Sequence, residues 1–144
     1  MAKAAKQILI VGPSCVGDMV MAQSLFIALK QQHPNCLIDV LAPAWSLPIL
    51  ERMPEVRRGI IMPVGHGALQ WSTRVEVAKQ LKLQGYDQAI VLPNSLKSAL
   101  IPFLAEIPKR TGWRGEMRYF LINDIRLLNK KRYPLMVQRF VALA

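Results

Sequence analysis

The sequence predicts an α/β fold, a Rossmann-like doubly wound and mostly parallel sheet, and three observations carry that prediction. Apolar, β-branched runs recur at 7–12, 36–41, 56–63 and 86–93, and continuous runs of this kind suit strands buried on both faces. Stretches with apolar residues at helical spacing separate them, so each strand reaches the next through a crossover that leaves the two parallel. The runs lead into Pro13, Pro43, Pro63 and Pro93, which close the strands and begin loops on one side of the sheet. In such sheets ligands bind at the carboxyl ends of the strands.

Each element has its own reason. After the first run, 18–32 carries Met21, Leu25 and Leu29 at helical spacing and is stopped by His33-Pro34-Asn35. The strand 36–41 completes a βαβ unit. A short helical stretch follows Ala42-Pro43-Ala44-Trp45 and runs to Met53, before the third strand at 56–63. Residues 72–84 place Val75, Val77, Ala78 and Leu81 on an apolar helix face that Gly85 ends, and 86–93 is the fourth strand. Asn94-Ser95 can cap a helix over 96–104, and 109–113 reads as a short fifth strand. From 114 to 132 no clean period is visible. Pro134 then suits the first turn of a helix over 135–144, whose apolar pattern reaches the last residue without a capping residue and fits a longer parent chain. The expected organisation is one Rossmann-like domain over 1–132 and, at 133–144, the start of a helix toward a second domain.

A chain of 144 residues with 52% hydrophobic residues can bury a core without staples. Cys15 and Cys36 form no CxxC or disulfide framework, and no Cys/His spacing marks a metal site. The apolar run after the basic MAKAAK start is too short for a signal or spanning segment, so a cytoplasmic location is expected. Nineteen Lys/Arg against nine Asp/Glu give +10, and 109–139 holds nine basic residues opposed only by Glu116 and Asp124. That segment expects an anion, and charge alone does not choose among nucleic acid, anionic lipid and phosphorylated sugar.

The loop VGPSCVGDM at 11–19 resembles half of a phosphate cradle. It lacks the lysine and hydroxyl of GxxxxGK[ST] and the glycine spacing of GxGxxG, so neither nucleotide motif is present. Asp18 reads as a helix N-cap, as a general base facing the cleft, or as both. Cys15 has no histidine in its loop and is expected to be a small filler rather than a nucleophile. His66 stands between two glycines as a loop tip or a substrate contact. Lys97 lies in a first helical turn, where a cation opposes the dipole, and so hints at an anion nearby. Arg114 and Arg118 flank Gly115-Glu116-Met117 as a solvated charge pair or as anion ligands. Trp45, Trp71 and Trp113 are expected to be loop or core anchors more than sugar platforms.

Taken together, GPSCVGDMVMAQSL (12–25), DVLAPAW (39–45), RMPEV (52–56), MPVGHGAL (62–69), YDQAIVLPNSLKSAL (86–100) and IPKRTGWRGEMRYFLINDIR (107–126) resemble the ADP-heptose lipopolysaccharide heptosyltransferases, glycosyltransferase family nine. The resemblance implies the N-terminal, acceptor-binding half of a two-domain GT-B enzyme whose other half binds ADP-heptose. It implies inverting transfer of L-glycero-D-manno-heptose to the first heptose of the lipid A-Kdo inner core, without a cofactor or metal, at the cytoplasmic face of the inner membrane. Asp18 matches the family's general base, while Ser14, His66, Asn94, Ser95, Lys97, Arg114 and Arg118 match its acceptor-binding cleft. Cys15 departs from the tryptophan expected there, which puts one acceptor contact in doubt. The resemblance also implies that this chain alone is inactive, and that nucleic acid is not a partner. The competing reading is a non-catalytic module for acidic lipid or nucleic acid, resting on the +10 charge; no nucleic-acid motif supports it.

Overall fold

The computed structural model describes residues 5–63, 70–115, 118 and 120–144. In chain order the elements are β1 (Gln7–Val11), α1 (Val16–Gln32), β2 (Leu37–Ala42), a 3-10 turn (Ala44–Ser46), α2 (Leu47–Leu50), β3 (Val56–Ile61), α3 (Trp71–Lys82), β4 (Gln88–Val91), α4 (Leu96–Leu104), β5 (Lys109–Trp113), β6 (Asp124–Arg126) and α5 (Met136–Val141). The six strands form one sheet in the order β3-β2-β1-β4-β5-β6. Every pairing is parallel, so the doubly wound fold expected from the sequence is the fold observed.

Alternation along β1 explains the three layers. Ile8 and Ile10 face one core with Met19, Leu25 and Phe26 of α1, whereas Leu9 and Val11 face the other with Ala78 and Leu81 of α3 and Ala99 and Ile101 of α4. Successive strand side chains point to opposite faces, and both faces are covered, which is why the run is apolar at every position. Gly85 takes φ +72° just beyond α3, a conformation that favours glycine, and so turns the chain toward β4.

Three elements differ from the sequence reading. Helix α1 starts at Val16 after an extended Cys15, with the Met19 amide donating to the Cys15 carbonyl at 3.0 Å. Asp18 is therefore the third helical residue, not the N-cap, because the chain bends at Ser14-Cys15 and enters the helix from there. Strand β6 was not visible in the sequence: it is a three-residue edge strand, half-buried throughout, and carries no period. The last helix spans only Met136–Val141. Beyond it the amides of Leu143 and Ala144 donate to Phe140 and Val141, a tighter turn that carries Leu143 fully into the core shared with α1.

Candidate active site

The crossovers leave β1 in opposite directions, toward β2 on one side and, through the later part of the chain, toward β4 on the other. The carboxyl ends of β1 and β4 thus flank a topological switch point, where a crevice opens because the two loops diverge. Ser14 and Asp18 come from the first loop and helix turn. Asn94 and Ser95 come from the β4–α4 loop, Lys97 from the first turn of α4, and Arg114 follows the neighbouring β5. Three adjacent strands therefore bring together six of the expected site residues. His66 lies outside the described residues.

Asp18 is half-buried in the first turn of α1, and its carboxylate has no hydrogen-bond or ion-pair partner among the described residues. An acid there is favoured by the helix dipole by about 0.3–1 kcal/mol, so the structure holds a carboxylate at this point without consuming its lone pairs. The loop that presents it is fixed from β2's side: Trp45, in the 3-10 turn, donates Nε1–H to the Ser14 carbonyl at 2.9 Å. Trp45 is an anchor, as expected, although its ring is 57% exposed. The hydrogen bond between these two loops was not legible in the sequence. Cys15 is exposed and free, Cys36 buried and free.

On the β4 side Ser95 is the N-cap of α4, its Oγ accepting from the Ser98 amide at 3.2 Å. The cap expected at Asn94-Ser95 is thus made by Ser95. Lys97 is the second residue of the helix, and among the described residues its ammonium has no partner. It is half-buried in the first turn of α4, where the helix dipole disfavours a cation, and no described residue balances it.

Arg118 is placed differently from the expectation. It is 2% exposed, and its guanidinium is engaged with the protein instead of facing an external anion. Nη1 donates to the carbonyls of Pro93 (2.7 Å) and Ser95 (3.2 Å) and to Ser98 Oγ (3.2 Å), while Nη2 donates to the Trp113 carbonyl (2.6 Å). Arginine's planar fork suits this task because several donors diverge from one rigid group. It ties the β4–α4 loop to the end of β5. Two glycines permit the approach: a Cβ on Gly112 would stand 3.1 Å from Arg118 Nη2, and one on Gly115 would stand 2.9 Å from the Asn94 carbonyl. Those glycines were the available sequence signal for a close packing of loops, but their partner was not deducible. Arg118→Ala removes the charged donor that joins these four acceptors, leaving the Pro93 and Ser95 carbonyls only the Ser98 hydroxyl among the described residues, and hydrogen bonds involving a charged group contribute about 1.5–3 kcal/mol each. The expected loss is about 3 kcal/mol in a urea melt, and an unchanged midpoint would refute the clamp.

Beyond Arg114 the loop ends form a pocket of ≈560 Å³ lined by Asn94, Trp113, Arg114, Gly115, Leu127, Leu128 and Lys130. Among the described residues no group of three or more His, Cys, Asp or Glu side chains is arranged to hold a metal ion. Nor is any described helix long and apolar enough to cross a membrane.

Among the described residues the sheet thus sets a carboxylate without a partner and two cations without ion pairs around the carboxyl ends of β1, β4 and β5. The model of glycosyltransferase family 9 (heptosyltransferase) matches residues 74–144. Beyond that stretch the chain is similar over nearly its whole length to proteins named heptosyltransferase 2. It is 58% identical to lipopolysaccharide heptosyltransferase 2 of Escherichia coli K12 over 138 residues, covering 96% of this chain and 40% of that protein. It is 64% identical to lipooligosaccharide heptosyltransferase 2 of Haemophilus influenzae over 137 residues, covering 95% of this chain and 39% of that one. The solved structure of E. coli ADP-heptose LPS heptosyltransferase II superposes with a TM-score of 0.86 at 53% identity, over 95% of this chain and 39% of that chain. A family 9 structure from Veillonella parvula, at 16% identity and TM-score 0.82 over 99% of this chain and 42% of that one, shares the fold. The chain spans about 40% of the length of the curated relatives it matches.

Proposed function

We propose that this chain is the acceptor-binding part of a heptosyltransferase that moves L-glycero-D-manno-heptose from ADP-heptose to the first heptose of the lipid A-Kdo inner core. The observation that carries the reading is the Asp18 carboxylate, held at the switch point with no partner among the described residues. In this reading the acceptor hydroxyl gives its proton to an Asp18 oxygen as its own oxygen bonds to the anomeric carbon of the donor. The bond from that carbon to the diphosphate breaks on the opposite face, which inverts the centre and releases ADP. No metal or cofactor is required.

Charge supports the assignment of the acceptor to this side. The acceptor carries phosphates and Kdo carboxylates, and Lys97 and Arg114 stand at the cleft without ion pairs among the described residues. Ser14, Asn94 and Ser95 would supply neutral contacts, with Ser95 doing so while it caps α4. The residue at 66 keeps its expected role as an acceptor contact. The acceptor is lipid-linked, so the net charge of +10 would favour the cytoplasmic face of an anionic inner membrane.

The departing diphosphate must be stabilised by preorganised donors and cations. In this reading those groups, and the site for ADP-heptose, lie in the portion of such enzymes that the chain does not span. The helix near the end of the chain, within 133–144, would lead toward it. Purified 1–144 is therefore expected to bind deacylated acceptor saccharide without turning over ADP-heptose. Heptose transfer by 1–144 with no second polypeptide present would overturn the division of labour, and absence of any acceptor binding would overturn the reading as a whole.

A further inference from the structure

We infer that the pocket at the carboxyl ends of β5 and β6 is a subsite for an anionic group carried on a saccharide, in which Lys130 and Arg114 take the charge and Trp113, Leu127 and Leu128 take the sugar's apolar face. The inference rests on the acceptor reading above and adds to it a place, a chemistry and Lys130. The pocket measures ≈560 Å³, room enough for a sugar unit. Among the described residues its lining contains two cations and no acid. Neither the Lys130 ammonium nor the Arg114 guanidinium has an ion pair or side-chain hydrogen bond among the described residues.

The two cations are brought together by the fold. The Arg114 amide donates to the Arg126 carbonyl at 2.9 Å, extending the β5–β6 pairing by one step and setting Arg114 at its end. After β6 the chain bends back at Asn129, whose Oδ1 accepts from the amides of Lys131 and Arg132, both at 3.1 Å, while its carbonyl accepts from the Tyr133 amide at 2.9 Å. That turn carries Lys130 to the pocket rim. Two like charges beside a shared cavity repel each other, and an anion between them removes the repulsion.

The rest of the wall is apolar or a neutral donor. Leu127 is 68% exposed, a large aliphatic surface facing water. Trp113 contributes to the lining from the edge of the core, 6% exposed, and its Nε1–H is buried without an acceptor among the described residues. The pocket between β3 and α3 offers no such chemistry. It is ≈340 Å³, and its Arg58 is committed to Asp39 and Gln84 while Glu76 adds an acid to the wall.

Position defines the role. β5 lies two strands from β1, about 10 Å at the usual strand spacing, so a group in this pocket cannot be the hydroxyl that Asp18 deprotonates. It is a remote part of the acceptor, and the subsite contributes affinity and orientation without entering the chemical step.

Calorimetric titration of the chain tests this with four ligands: a deacylated, phosphorylated heptose-Kdo core oligosaccharide, the same oligosaccharide after phosphatase treatment, glucose 6-phosphate and inorganic phosphate. Lys130→Ala, whose side chain is exposed, is expected to leave the melting temperature unchanged and to weaken the phosphorylated oligosaccharide at least tenfold, with Lys130→Arg recovering most of the loss. If the Lys130 effect disappears after phosphatase treatment the anion is a phosphate; if it persists the anion is a carboxylate, and either result supports the subsite. Oligosaccharide binding that is equal in wild type, Lys130→Ala and Arg114→Ala overturns the subsite and leaves the acceptor reading standing. Lys130-dependent binding of glucose 6-phosphate without any binding of the oligosaccharide keeps the subsite and overturns the acceptor reading. Inorganic phosphate bound as tightly as the oligosaccharide, or no binding of any ligand, overturns the inference.

Discussion

Asp39→Asn lowers the stability of the domain by about 3 kcal/mol, the lower end of what breaking a buried ion pair costs. Asp39 is fully buried in β2 and accepts from Arg57 through two bonds (2.9 and 2.7 Å), from Arg58 at 3.1 Å and from the Tyr86 hydroxyl at 2.6 Å. Two consecutive arginines reach one carboxylate because the β2–β3 register slips between Ile38, opposite Val56, and Asp39, opposite Arg58. Arg57 is the extra residue of that bulge, and the bulge turns its side chain to the face that Arg58 already occupies. Removing the charge leaves two arginines facing a neutral amide. Both are partly exposed, 33% and 45%, so water recovers some of the loss, which is why the lower end applies.

The same cluster fixes the pH response. Burial pushes the Asp39 carboxyl up, but the hydrogen bonds from Arg57 and Tyr86 and the charges of Arg57 and Arg58 outweigh it, and the carboxyl lies below its ordinary range. A depressed folded value means that the contribution is complete above about pH 4, the unfolded value, and is lost as pH falls through the folded one. Tyr86 works in the opposite sense. Burial first, and then its bond to Asp39, push its hydroxyl up to about 12, so its contribution is complete below about pH 10 and is lost as pH rises through the folded value. Thermal melts from pH 2.5 to 7 should show wild type losing its advantage over Asp39→Asn on acidification. The expected gap at pH 7 is roughly 10 °C. A gap under 2 °C, or one independent of pH, would show that the cluster does not hold β2 to β3.

What the sequence made legible follows from where each signal originates. β1, β2 and β4 are nearly all-apolar runs because both faces are covered, and α4 and β5 have the bounds their residues indicate, 96–104 and 109–113. β6 escaped because an edge strand buries too little to need a pattern, and the β3 bulge escaped because it adds a residue without changing composition. Asp18 was expected at the cap but stands inside the helix: aspartate is the better cap, yet the chain put the extended residue at Cys15. Arg118 shows the harder limit. In a stretch with no period, an arginine on four acceptors and an arginine in water look the same, and only the neighbouring Gly112 and Gly115 hinted that something had to pass close by.

Asp18→Asn, made in this chain joined to the remaining part of a heptosyltransferase 2 relative, is expected to lower kcat by about 10²–10⁴-fold, the usual contribution of a positioned general base. The acceptor KM should stay within a few-fold, because binding is assigned to Lys97, Arg114 and the β5–β6 pocket. Stability should change little. Asp18 is not the cap, its carboxylate bonds no described group, and only its interaction with the helix dipole, about 0.3–1 kcal/mol, is lost. This split separates the base from its surroundings: Lys130→Ala should raise KM with kcat preserved, and Arg118→Ala should lower the melting temperature. Asp18→Glu keeps a carboxylate but moves it by one methylene, and partial recovery over Asp18→Asn would tie the rate to the carboxylate itself. Near-normal turnover by Asp18→Asn would remove the base from the mechanism. A carboxylate that the fold leaves without partners at the switch point would then need another reason to be there.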